Sequence, residues 1–129
     1  MNMSFFESVK SRCPDIISNV HIVTESDWAL PDVVPKAVIF VHATWSAASG
    51  AALAALGQAL PSSTAADALI FVIDADSIVN GLRIGTETEL PQGRGETYLV
   101  RDRKIIERIS DYNLLSVAKI IEALRRAFP

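Results

Sequence analysis

Hydrophobic positions in this chain follow two rhythms, one helical and one of unbroken apolar runs, and their alternation lays out an order of helices and strands. Phe5, Phe6 and Val9 recur at helical spacing behind Ser4, whose hydroxyl can accept from the first turn. An amphipathic helix is therefore predicted over residues 4–12, ended by Pro14. Residues 20–24 are a short β-branched run, read as a strand, and Ser26-Asp27-Trp28 offers a weak turn of helix that Pro31 and Pro35 interrupt. Residues 36–43 are almost wholly apolar and β-branched, the pattern of a strand covered on both faces, and form the expected centre of a sheet.

A helix capped by Ser46 or Ser49 is predicted to run through the alanine- and leucine-rich residues 51–60 until Pro61 stops it. Gly50 and Gly57 within this stretch would let another element approach closely. A second apolar strand follows at residues 68–73 and ends in Asp74-Ala75-Asp76, so the two strands and their helix form a right-handed crossover. Residues 77–95 hold four glycines, Pro91 and Glu87-Thr88-Glu89, which predicts a short helix at most and otherwise loop. Residues 97–100 and 105–109 read as two strands joined by the charged turn Arg101-Asp102-Arg103-Lys104. Leu114, Leu115, Val117, Ala118, Ile121, Leu124 and Phe128 mark one face of a terminal helix.

Composition narrows the class. With 129 residues, half of them hydrophobic and 21% charged, the chain is long enough for one core and is expected to form a single domain over residues 1–129. Residues 1–80 carry three basic and eight acidic side chains, whereas residues 81–129 carry nine and seven. No continuous basic stripe results, so nucleic acid is not the expected partner, while the acidic part suits a basic protein. The single Cys13 can form no internal disulfide, which points to a cytoplasmic setting. In the first dozen residues, charges interleave with the apolar positions, so neither an export signal nor a membrane span is predicted there.

The segment Val41-His42-Ala43-Thr44-Trp45-Ser46-Ala47-Ala48-Ser49 passes from the buried strand into the next helix. From Val20 onward the chain resembles the thioredoxin-like fold superfamily, in which this strand-to-helix turn carries Trp-Cys-x-x-Cys. The resemblance implies an α/β, thioredoxin-like domain: a central mixed sheet of four to five strands flanked by helices, with residues 1–19 as an added N-terminal helical extension. It also implies loss of redox chemistry. Ser46 and Ser49 stand at the two cysteine positions, Phe40 at the position of the family's buried carboxylate, and Glu96 where the family has its cis-proline. A serine forms no disulfide and has almost no nucleophilic anion without an adjacent base. A trans peptide is expected before Glu96, since a cis bond there would cost about 2.5–4 kcal/mol.

What remains favours binding. In the resemblance Trp45 lies at the surface beside the turn, as an apolar anchor of the residue type that dominates interfaces. Ser46, Ser49, Arg94, Glu96, Asp74 and Asp76 complete the candidate interface, with Arg94 and Glu96 facing the Ser-Ala-Ala-Ser turn as a polar rim. Asp74 and Asp76 share one side of the strand end by period-two alternation and could serve as acid and base or bind a cation, or solvate a loop and cap a helix beginning near Ser77. Ser46 and Ser49 are read first as helix caps. The alternative, by likeness to glutathione transferases, is that Ser46 stabilises a thiolate at the helix N-terminus. His42 lies close to Ser46 in sequence, but no Gly-x-Ser-x-Gly elbow accompanies them, so His42 is expected to pack beneath Trp45 or to meet a backbone carbonyl. His21 is expected to face solvent, Trp28 to lie in the core, and Cys13 to be buried and inert. Two histidines and one cysteine without ligand spacing predict no metal and no cofactor. The expected function is non-catalytic protein binding, in the form of a bacterial immunity protein that neutralises a basic toxin or effector domain, or of an assembly chaperone.

Overall fold

In a computed structural model that describes residues 4–65, 67–110 and 116–129, the chain forms a mixed α/β fold. The helices are α1 (Phe5–Arg12), α2 (Ala47–Ala59) and α3 (Val117–Ala127). The strands are β1 (Val20–Val23), β2 (Lys36–His42), β3 (Leu69–Asp74), β4 (Leu82–Ile84), β5 (Glu87–Glu89), β6 (Thr97–Arg101) and β7 (Lys104–Ile109). Five strands make the main sheet in the order β1-β3-β2-β6-β7. β1 and β2 both run parallel to β3, while β6 is antiparallel to β2 and β7 to β6. This sheet, with its N-terminal helix in addition, is consistent with the thioredoxin-like arrangement expected from the sequence.

β2 takes its central place by having no polar face. Ala37 to Val41 are all fully buried, with Val38 and Phe40 directed to one core and Ala37, Ile39 and Val41 to the other. All three helices contribute to the first core. α1 and α2 approach closely because Gly57 has no side chain: a Cβ there would sit 2.7 Å from the Cβ of Cys13. Gly50 likewise leaves room for the guanidinium of Arg12. The second core is closed differently, by Trp28, Leu30 and Val34 from the loop after β1 and by Leu82 and Ile84 of β4.

The helix caps follow the sequence. Ser4, Ser46 and Ser116 accept from the backbone N–H three residues on, each satisfying a donor that its helix leaves open. Between β6 and β7, Asp102 and Arg103 both adopt positive φ, 53° and 67°, which closes the predicted charged hairpin as a tight two-residue turn. Arg101 then donates to the carbonyl of Ala127 at 2.9 Å and ties the end of α3 to the sheet.

Two expectations need correction. Ser26 and Asp27 form a turn without a helix, and Ala29 makes an isolated parallel bridge to Arg83. α2 begins at Ala47, directly after Ser46, one of its two predicted caps. Residues 77–95 contain no α-helix; a single 3-10 turn, Ala75–Ser77, leads to the β4–β5 hairpin. Each strand of that hairpin is only three residues long, too short to show alternation. Gly85, at φ +60, lies so close to the carbonyl of Arg103 that no Cβ fits there. Leu114 and Leu115 lie outside the described residues.

Candidate functional site

Three segments meet at the C-terminal ends of β2 and β3: the turn from β2 into α2, the 3-10 turn after β3, and the loop before β6. Trp45 is the residue they share. Its indole N–H donates to Asp76 Oδ1 at 2.9 Å. Its six-membered ring rests against Gly93, where an added Cβ would fall 2.6 Å from Cη2. Gly93 holds φ at +79°, a conformation that costs glycine little and other residues more. Trp45 is still 66% exposed, so the fold fixes this side chain without covering it.

Asp74 is the last residue of β3, and its carboxylate accepts from the N–H of Asp76 at 3.0 Å. Ser77 donates its hydroxyl to the carbonyl of Asp74 at 2.7 Å. The strand alternation read from the sequence stops at Asp74: the 3-10 turn rotates Asp76 toward the indole, while Asp74 caps the turn. Burial raises the pKa of Asp74 above the ordinary carboxylate range; the N–H of Asp76 opposes that shift, and the charge of Asp76 adds to it.

Glu96 organises the third segment. Its carboxylate accepts from the backbone N–H groups of Gln92 and Arg94, and its carbonyl accepts from Val41 N–H at 3.0 Å. The side chain therefore folds the loop that carries Gly93 instead of reaching outward as a rim. Arg94 is exposed. The described peptide bonds are all trans, including the one before Glu96.

The two serines of the turn separate in role. Ser46 Oγ accepts from Ser49 N–H at 3.2 Å as the cap of α2. Ser49 is fully buried, so it is no part of an exposed interface. Its Oγ accepts from Ala43 N–H at 3.0 Å and lies 2.9 Å from His42 Nδ1. The other ring nitrogen, Nε2, is 2.9 Å from Ser8 Oγ on α1. His42 is thus the middle of a buried chain that joins α1, β2 and α2, not a group beneath Trp45, and its ring packs near those of Phe5 and Phe40. Burial, and then the nearby charge of Arg12, pushes its pKa down to about 4. No pattern at residues 8, 42 and 49 announces this network, because its members are 34 and seven residues apart.

The remaining candidates lie elsewhere. His21 is exposed on β1 beside Phe71, and Trp28 is partly buried against the same ring. Cys13 is buried, donates to Val9 O, and has its thiol pushed up to about 11 by burial. A groove of about 600 Å³ opens beside the starts of β1 and β3, lined by Asp15, His21, Pro61 and Leu69 among others, and does not include the Trp45 segments. Among the described residues, no group of three His, Cys, Asp or Glu side chains could hold a metal ion, and no helix is long and apolar enough to cross a membrane.

Gly93→Ala should expose how firmly this site is built. The substitution meets both the positive φ and the indole, so we expect the Trp45 ring to be displaced from Asp76 and stability to fall by about 1 kcal/mol or more. Tryptophan emission and urea unfolding would show both, and an unchanged spectrum with unchanged stability would contradict the packing.

The chain has no match among protein-family models, curated proteins or solved structures. What fold and site define is a mixed α/β domain with an exposed, prepositioned tryptophan at one end of its sheet.

Proposed function

We propose that this protein is a non-catalytic protein-binding module on a redox-inactive thioredoxin-like scaffold. The observation that carries the reading is Trp45: two thirds exposed, yet fixed by Asp76 and Gly93. An apolar surface held in place before binding loses little conformational entropy when covered, which suits an interface anchor. Val79 and Leu90, three residues after Asp76 and three before Gly93, are also largely exposed and would extend the contact. The reading asks no chemistry of Ser46 or Ser49. Within this class, neutralisation of a basic toxin or effector domain fits the carboxylates beside Trp45, and an assembly chaperone would use the same surface.

Trp45→Ala is expected to leave unfolding free energy within about 0.5 kcal/mol of the parent, as for exposed positions generally. It should also lose the partner recovered by affinity capture from the native host and identified by mass spectrometry. Retention of that partner by the variant would overturn the proposal, and a stability loss of several kcal/mol would assign Trp45 to the core.

A further inference from the structure

We infer that the Trp45 platform receives a cationic side chain, an arginine or lysine of a basic partner segment, seated on the indole and paired with Asp76 and Asp74. The inference deepens the protein-binding reading and rests on it.

Charge complementarity is the first argument. Four acids elsewhere on the molecule sit with cations, Glu87 and Glu89 with Arg108, Glu107 with Arg126, and Asp32 with Arg103, while others such as Glu25 and Asp27 are exposed without an ion pair among the described residues. Among the described residues no such ion pair reaches Asp74 or Asp76. These two carboxylates are neighbours, linked through the Asp76 N–H, and burial raises the Asp74 pKa. Glu96 adds a third negative charge to the three segments and Arg94 one positive, so the site as a whole is acidic.

Aromatic geometry supplies the second argument. Indole is the side chain that best attracts a cation to its face. The Asp76 carboxylate on Trp45 Nε1, at 2.9 Å, places an anion at the ring edge, and a guanidinium or ammonium over the ring would meet both. Gly93 backs the ring and most of the residue is open, so the platform exists before the cation comes. Arginine and lysine also carry long apolar stems, and Val79 and Leu90, three residues along the chain from Asp76 and Gly93 respectively, are exposed. A purely apolar partner would instead bury the Asp74–Asp76 pair without compensation.

The test is titration calorimetry of the full chain at low salt with a tetra-arginine peptide, and with tetra-glutamate for comparison. Tetra-arginine should bind saturably, tetra-glutamate should not, and raising the salt should weaken the complex. Trp45→Ala should reduce affinity by about tenfold or more. Asp76→Asn keeps an acceptor for the indole N–H while removing the charge, and should reduce affinity by about three- to fivefold. Circular dichroism of each variant establishes that it is folded. Absence of tetra-arginine binding to the parent, or binding indifferent to both substitutions, would overturn the cationic occupant. Should the partner captured from the host still depend on Trp45 in that case, the protein-binding reading stands alone. Should it not, both fall.

Discussion

Acidification from about pH 6.5 to about pH 4 should remove on the order of 3 kcal/mol of stability through His42 alone. In the unfolded chain the imidazole titrates near 6.5, whereas in the fold burial, and secondarily Arg12, pushes it down to about 4. Between those values the unfolded chain holds a proton that the folded chain does not. The contribution is therefore complete above the unfolded value and is lost as pH falls toward the folded one. His42 is 1% exposed, so solvent screens the effect little. The groups around it are Ser8 on α1, Arg12 at the end of α1, Ser49 on α2, the rings of Phe5 and Phe40, and Asp74 across the β2–β3 register. The ring nitrogens meet the hydroxyls of Ser8 and Ser49 and no carboxylate, and the Asp74 carboxylate accepts from the N–H of Asp76. Urea unfolding across this range, compared with a His42→Gln variant, isolates the effect: the parent should lose stability more steeply as pH falls. Parallel profiles would show that His42 titrates alike in both states. Asp74 acts in the opposite sense, because a raised carboxyl pKa favours the fold at low pH and that benefit is lost as pH rises.

The contrast between His42 and Trp45 shows which parts of this molecule can be read from its sequence. β2 and the β6–β7 hairpin are legible because local signals agree: an unbroken apolar run in the one, and β-branched runs around a charged turn in the other. Trp45 is legible because its place beside a helix start comes from the same strand-to-helix transition. Ser46 and Ser49 look equivalent as caps, and only the tertiary structure separates them, by bringing His42 Nδ1 and Ala43 N–H to Ser49. Ser8 is one hydroxyl on an amphipathic helix until α1 docks over β2. The β4–β5 hairpin is missed because three-residue strands carry no period, and its support is non-local: Leu82 and Ile84 enter the second core, and Arg108 of β7 reaches Glu87 and Glu89. The sheet face without helices thus depends on contacts between distant residues, where patterning along the chain is weakest.

Phe40→Ala should cost about 3–5 kcal/mol, the largest single loss we expect from a side-chain truncation here. Phe40 is fully buried at the middle of β2, among the largest side chains in the helical core. Its ring lies 6.2 Å from that of His42, centroid to centroid, and its tip approaches Gly95, where an added Cβ would lie 3.3 Å away. Truncation would open a void below both, lined by α2 and the segment leading into β6. Phe40→Leu keeps most of the volume and should cost only about 1–1.5 kcal/mol. Urea unfolding of the two variants tests the pair, and a loss below about 1 kcal/mol for alanine would mean that the core collapses to fill the space. The position also bears on the redox argument, since the thioredoxin resemblance places a carboxylate here. Phe40→Asp should destabilise at least as much as alanine at neutral pH, because an ionised carboxylate amid Val38, Leu53 and Leu99 adds a desolvation cost to the lost packing. The surrounding core is built for an aromatic ring, so restoring the acid would require repacking several buried neighbours and not one substitution.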